Sequence, residues 1–180
     1  MHFTLEPSFG TVANVSPGIV INPDLARSIR GVGEVMASAR DPWWIISSAA
    51  VALHGVDAGR VADVDVLLSI DDAEQIFPSL GLPLAPGLDH PDFRSSLFAT
   101  WTQPPLAVEF MAGFRYRAGD AWLPVQPRTR EAISVGNVTV HVPDREELAR
   151  ILRGFGRSKD IERADRLMAE RRYPAHPSPS

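Results

Sequence analysis

The sequence predicts an α+β fold, in which helices flank a mixed β-sheet of four to six strands and a pair of helices follows at the C-terminal end. Apolar residues recur at helical spacing near both ends of the chain, after Asn22 and after Asp144. Between these segments lie short apolar runs bounded by Gly, Pro and Asp, which are typical of strands. The 180 residues suit one domain. We expect this domain to span residues 1–173, with a disordered tail at 174–180.

The composition excludes several kinds of site. There is no cysteine, so disulfides, thiolate metal sites and cysteine nucleophiles are excluded. A net charge of −4 provides no overall basic surface for nucleic acid, although a local basic face remains open. No apolar run approaches the ~18 residues that cross a bilayer, and the first ten residues do not resemble a signal peptide. We therefore expect a cytoplasmic protein without a membrane partner.

The N-terminal part of the chain contains clear boundary signals. Asn22 as N-cap and a proline at the first helical position predict a helix over residues 23–40. The run WWII at 43–46 predicts a short buried strand. The alanine-rich segment that follows predicts a helix, and Gly55 supplies its stop.

The middle of the chain is predicted to be mostly strands. The clearest one is 61–70, and Asp71 with Glu74 is expected to cap the helix after it. Three prolines make 82–93 a long loop. The remaining predicted strands are 96–100, 106–111 and two or three short ones that include 138–142.

Two helices are predicted to complete the domain. Asp144 can cap the first, with Glu147 three residues later. A break around Gly154 and Gly156 separates it from the second, which we place at 159–172.

Asp63 and Asp65 are the first candidates for chemistry. Residues i and i+2 of a strand point to the same face, roughly 7 Å apart, so the two carboxylates project together. Like charges placed this way repel unless a cation lies between them, and hard oxygen ligands suit Mg²⁺. The alternative is that both aspartates only solvate the open end of a half-buried strand.

A third acid strengthens the cation interpretation. Glu109 lies in the otherwise apolar run LAVEFMAGF, where solvation explains an acid poorly. If its strand lies beside 61–70, Glu109 faces the aspartates at about 5 Å. Three carboxylates would then form a metal site suited to phosphoryl displacement. Ser47 and Ser48, at a predicted strand-to-helix turn, add a phosphate site, or alternatively a plain N-cap.

These residues resemble the nucleotidyltransferase-fold superfamily, the DNA polymerase β-like transferases. IISSAAVALHG, RVADVDVLL and VEFM follow one another as the turn, the Asp-x-Asp strand and the third acid do in that superfamily. The chain is most similar to small standalone members, and Arg60 falls at their arginine. Ser47 stands where those members usually have glycine, Ala62 where they have threonine, and Glu109 where they have aspartate.

The C-terminal part carries the same resemblance. Such members often open the final helix with Arg-x-Lys-Asp, and this chain has RSKD at 157–160. Lys159 is the only lysine among the 18 Lys and Arg residues, which suggests that its position requires a compact ammonium group. The resemblance implies that Lys159 contacts phosphate or the carboxylates. The alternative is a chance surface residue.

The resemblance implies a Mg²⁺-dependent transfer of a nucleotidyl group from a nucleoside triphosphate (NTP) to a hydroxyl or phosphate acceptor. Asp63, Asp65 and Glu109 would be the catalytic and metal-binding residues. Nucleotide would be held by Ser47, Ser48, Arg60 and Lys159. The acceptor would be a small molecule, or RNA or protein as in toxin–antitoxin pairs. Two alternatives remain: a non-catalytic member of this fold that binds nucleotide or a partner protein, and a carbohydrate-binding or structural domain.

Overall fold

The structure is a computed structural model and describes residues 20–169. The predicted tail at 174–180 lies outside these residues. The elements run as follows: α1 (Pro23–Met36), β1 (Trp44–Ile46), α2 (Ser47–Leu53), β2 (Asp63–Leu68), α3 (Ile70–Ser79), β3 (Phe93–Arg94), β4 (Leu97–Trp101), β5 (Ala107–Ala112), β6 (Arg115–Ala118), β7 (Ala121–Pro124), β8 (Glu131–Val135), β9 (Val138–Val142), α4 (Arg145–Phe155) and α5 (Ser158–Ala169). No helix within this range is both long and apolar enough to cross a membrane.

The main sheet has four strands in the order β1-β2-β5-β4. β2 and β5 are parallel, whereas β1–β2 and β4–β5 are antiparallel, so the sheet is mixed. The predicted strand at 61–70 is therefore central, as β2. Two smaller sheets accompany it, β3-β6-β7 and the hairpin β8-β9. The fold is the predicted α+β arrangement of a mixed sheet with flanking helices.

The core lies mainly between the main sheet and the helices. Val64 and Val66 of β2 alternate with its aspartates and are fully buried, as are Val108 and Phe110 of β5. Phe77 of α3 packs on Phe110 with ring centroids 5.9 Å apart. Alternation along β2 and β5 thus gives one face to the apolar core and leaves the other face to the carboxylates.

The N-terminal caps of α1 and α3 show where the local sequence correctly predicts a helix start and where it does not. Asn22 caps α1 by accepting a hydrogen bond from the Asp24 amide at 2.8 Å, as predicted. The predicted Asp71 cap of α3 is wrong, because Ser69 is the N-cap and accepts from the amide of Asp72. Asp72 is buried and accepts from the backbone amides of residues 40 and 41.

The C-terminal helices form the predicted pair. Asp144 caps α4 by accepting from the Glu147 amide at 2.8 Å. The Glu147 carboxylate turns instead to the backbone amides of Arg128 and Thr129, at 2.7–3.0 Å. α4 ends at Gly156, whose φ of 73° is left-handed, and α5 then packs against α4.

Candidate active site

The sheet brings the three predicted acids to one face. Asp63 and Asp65 lie on β2, and Glu109 lies on the neighbouring strand β5. The register pairs Asp65 directly with Glu109, and Ile46 at the end of β1 pairs with Asp65 from the other side. Because laterally paired residues share a face, all three carboxylates project from the same side of the sheet.

Electrostatics confirm that these carboxylates disfavour joint ionisation. The pKa of Asp65 is raised from 3.8 to about 7, first by burial and then by the charge of Asp63. The pKa of Glu109 is raised by burial and by Asp63, while a hydrogen bond with Asp65 opposes the rise. The repulsion between like charges that the Asp-x-Asp spacing predicts is therefore one of two causes. For Asp65 and Glu109 burial is the larger cause, because the neighbouring strands limit the contact of each carboxyl with water.

The donor set fits a divalent cation in its chemistry. Carboxylate oxygens are the hard ligands that Mg²⁺ prefers, and the high pKa of Asp65 means that the surrounding protein compensates its negative charge only in part. Across residues 20–169, however, no group of three or more acidic or histidine side chains has an arrangement that could hold a metal ion. That all three acids are metal ligands therefore stays a prediction.

Ser47 holds an unusual backbone conformation beside the acids. It is the one non-glycine residue with positive φ in the described chain, at 56°. This left-handed region disfavours any residue with a Cβ, which explains why glycine is expected here. The Ser47 hydroxyl hydrogen-bonds to Asp65, which opposes the rise in the pKa of that carboxyl.

The serines are not a plain helix cap. The N-cap of α2 is Ile46, and no side chain caps that helix. Ser47 and Ser48 are both buried. Ser47 contacts the acid cluster, and both serines line a cavity beside it.

The smaller of two cavities at the acids carries most of the positive charge. Its volume is about 150 Å³. Asp63 and Ser48 line it together with four cationic side chains, those of Arg60, Arg157, Lys159 and Arg163. The structure therefore places every predicted nucleotide-contacting residue around one cavity.

Asp160 organises two cations that the sequence analysis did not select. It is fully buried and receives Nε of Arg157 at 2.5 Å and Nη1 of Arg163 at 3.5 Å. Arg163 also donates to the carbonyls of Ala58 and Arg60, at 3.0 and 3.2 Å, which fixes the loop before β2. Arg157 lowers the pKa of Asp65 through its charge. The signal was present in the RSKD motif, from which only Lys159 was chosen.

A larger cavity of about 560 Å³ adjoins the same acids. It shares Ser47, Asp65, Glu109 and Arg157 with the smaller cavity, whereas Asp63 lines only the smaller one. Its remaining lining comes from the loop at 87–90, from β3, β4, β5 and α4 and from the turns beside these strands, with phenylalanine as the most frequent residue. No sequence pattern predicted it, because its walls come from distant parts of the chain.

His54 has a structural position. Its Nε2 lies 2.8 Å from the Pro143 carbonyl oxygen and its side chain is almost fully buried. Burial lowers its pKa, so the neutral ring is favoured. It lines neither cavity at the acids.

Known proteins of the same shape were found by comparison of structures. No family model and no curated protein sequence matches the chain. A crystal structure from Thermotoga maritima, TM1012, provisionally assigned as a nucleotidyltransferase, aligns with a TM-score of 0.63 at 20% identity over 84% of this chain and 96% of that chain. The solution structure of the antibiotic-resistance factor ANT(2″)-Ia aligns with a TM-score of 0.51 at 13% identity, over 83% and 85% of the two chains. The chain therefore has the nucleotidyltransferase fold that its sequence predicted.

Proposed function

We propose that the protein is a nucleotidyltransferase that uses Mg²⁺ and moves a nucleotidyl group from an NTP to a hydroxyl or phosphate acceptor. The observation that carries the proposal is the in-register pair Asp65–Glu109, with Asp63 on the same face and a cavity lined by cations beside it. Four cations next to three carboxylates can hold a polyphosphate next to a divalent cation.

Each residue of the smaller cavity has a chemical task in this proposal. Arg60, Lys159 and Arg163 line this cavity and would contact the β- and γ-phosphates, with the Ser48 hydroxyl as a further donor. Arg157 reaches both cavities and would neutralise charge that develops at the α-phosphate.

The acids have a separate task. Asp63 and Asp65 would hold Mg²⁺, which when bound neutralises phosphate charge and orients the α-phosphate. Glu109 would complete the site and accept the proton of the acceptor hydroxyl. Its raised pKa makes the ionised carboxylate a stronger base toward that proton.

The test is nucleotide-dependent stabilisation followed by detection of transfer. Mg²⁺ with each of the four NTPs should raise the unfolding free energy by ~2.7 kcal/mol at a hundred times the dissociation constant. Asp63→Asn should abolish this gain. Asp120→Asn, at an exposed aspartate between β6 and β7, is the matched control and should retain it. If no NTP stabilises the parent protein, the proposal fails.

The acceptor class follows less directly. ANT(2″)-Ia is an antibiotic-resistance factor, which favours a small-molecule acceptor over RNA or a partner protein for this chain too. Pyrophosphate release, measured with panels of small molecules, RNA and proteins, separates these classes. Release with RNA or protein alone would contradict the small-molecule assignment.

A non-catalytic nucleotide-binding or partner-binding protein is the second candidate, and Ser47 favours it. Its hydroxyl occupies a lone pair of Asp65 and its Cβ stands where glycine would let a phosphate approach closely. This candidate predicts that NTP binds but that no acceptor panel produces pyrophosphate. Ser47→Gly should then restore turnover if the serine is what prevents it.

A further inference from the structure

The larger cavity differs in character from the cationic one. The apolar part of its lining consists of Phe93, Phe98, Met111, Phe114 and Phe155, together with Leu88, which is 90% exposed. At about 560 Å³ it matches the usual size of small-molecule sites. Several rings contact one another, with Phe93 stacked on Phe114 at 5.8 Å and meeting Phe155 edge-on at 5.3 Å. This is a preformed apolar site.

The position of this cavity relative to the acids indicates what it binds. In an in-line displacement at phosphorus, the attacking oxygen and the leaving group lie on opposite sides of the phosphorus atom. If pyrophosphate leaves on the side of Arg60, Lys159 and Arg163, the attacking oxygen must arrive from the other side of the acids. The larger cavity is the candidate for that approach, since it reaches Asp65 and Glu109 but is not lined by Arg60, Lys159 or Arg163.

We propose that the larger cavity binds the acceptor, and that the acceptor is a small neutral molecule with a hydroxyl on a mainly aromatic or aliphatic body. This inference rests on the proposed nucleotidyl transfer and narrows its substrate class. Burial of apolar ligand surface against apolar side chains favours binding by about 25 cal/mol per Å². The hydroxyl would point to Glu109, and the apolar body would contact the rings and Leu88.

The charges around the cavity argue against a polycationic acceptor. The guanidinium of Arg157 lies 4.9 Å from the centroid of the Phe93 ring, so a cation already occupies that aromatic face. Arg94 also lines the cavity and stacks on Trp122 at 4.3 Å. Beyond the two acids shared with the smaller cavity, Asp89 is the one carboxylate in the lining. The lining thus holds three carboxylates and two arginines, so a ligand with several ammonium groups would find only a small excess of negative charge here.

The chemical step balances without a further reagent. The acceptor oxygen forms a bond to the α-phosphorus of the NTP as its proton passes to the Glu109 carboxylate. The bond from the α-phosphorus to the oxygen that bridges to the β-phosphorus breaks, and pyrophosphate leaves with that electron pair. The proton then passes from Glu109 to solvent. The products are the nucleotidyl ester of the acceptor and pyrophosphate.

The experiment measures probe binding separately from nucleotide binding. The probes are 2-(2-naphthyl)ethanol, a neutral aromatic alcohol, and tobramycin, a polycation. The dissociation constant of each is measured by equilibrium dialysis without metal or nucleotide. Thr100 is exposed on β4 and lines the larger cavity but not the smaller one, so Thr100→Trp places a bulky ring in the larger cavity. Leu88→Asp replaces an exposed apolar residue of the cavity lining with a charged one, at a position outside the hydrophobic core. Leu123→Trp, at an exposed leucine of β7 that lines neither cavity, is the matched control.

We expect the parent and Leu123→Trp to bind naphthylethanol more tightly than tobramycin. Thr100→Trp should weaken naphthylethanol binding at least tenfold, and Leu88→Asp should weaken it measurably. All variants should keep stabilisation by MgATP, and the parent should form the adenylyl ester of naphthylethanol, detected by mass spectrometry. Tighter tobramycin binding, or naphthylethanol binding unchanged by both cavity variants, overturns this inference alone. Absence of MgATP stabilisation in the parent overturns the acceptor role together with the proposed function.

Discussion

Asp65→Asn is expected to stabilise the metal-free protein, and the gain should grow with pH. Folding raises the pKa of Asp65 from 3.8 to about 7, mainly through burial. At about 1.4 kcal/mol per pKa unit, ionising this carboxyl in the folded protein costs up to ~4 kcal/mol. Asparagine has the same shape and no charge. Its amide can still accept from Ser47 and donate to Glu109, so little is lost in exchange.

The sign of the pH dependence follows from where the proton is held. Between about pH 4 and pH 7 the unfolded chain has lost the Asp65 proton and the folded chain retains it. The stability of the parent therefore falls as the pH rises through this window, and the loss is complete above pH 7. Asp65→Asn does not undergo this loss. Its free energy of unfolding should therefore exceed that of the parent only slightly near pH 4 and by about 2–4 kcal/mol at pH 8.

Urea unfolding in EDTA at pH 5 and pH 8 measures this difference. Asp120→Asn serves as control, because that aspartate is exposed at the turn between β6 and β7. Added Mg²⁺ should stabilise the parent and leave Asp65→Asn unchanged. A variant less stable than the parent at pH 8, or a stability gain equal at both pH values, would refute the conclusion that folding disfavours ionisation of Asp65.

Four further outcomes are expected. Ser47→Gly should be more stable than Ser47→Ala by ~1 kcal/mol in urea unfolding, because only glycine relieves the positive φ; the reverse order would exclude strain. Lys159→Arg conserves charge but should weaken stabilisation by MgATP, and an unchanged Kd would show that the lysine is incidental. Asp160→Asn should reduce both stability, by about 1–3 kcal/mol, and MgATP affinity, because Arg157 loses its anchor; unchanged affinity would mean that Arg157 does not contact nucleotide. Glu147→Gln should destabilise by ~2 kcal/mol at pH 7 and by less near pH 3. Burial would raise the pKa of Glu147, but hydrogen bonds from residues 128 and 129 outweigh it and lower the pKa, so this contribution is lost as the pH falls; an equal loss at both pH values would contradict it.

Local signals in the sequence determined much of the fold. The caps at Asn22 and Asp144 depend on atoms within three residues, so their prediction needed no knowledge of the rest of the chain. The strands β1 and β2 and the helix α2 were predicted for similar reasons. The error at α3 arose because Ser69 and Asp71 are both able to cap. The amides of residues 40 and 41, which bind Asp72, come from distant sequence.

In the candidate site, too, some features follow from the local sequence and others only from the tertiary structure. That Asp63 and Asp65 share a face follows from the two-residue period of a strand and is fixed by sequence alone. That Glu109 stands opposite Asp65 depended on β5 pairing with β2 in one register, which packing of the apolar faces selects. The left-handed backbone of Ser47, the arginines held by buried Asp160 and the apolar cavity were decided only by the tertiary structure. Each depends on contacts between segments far apart in the chain, for which the local sequence carries no signal.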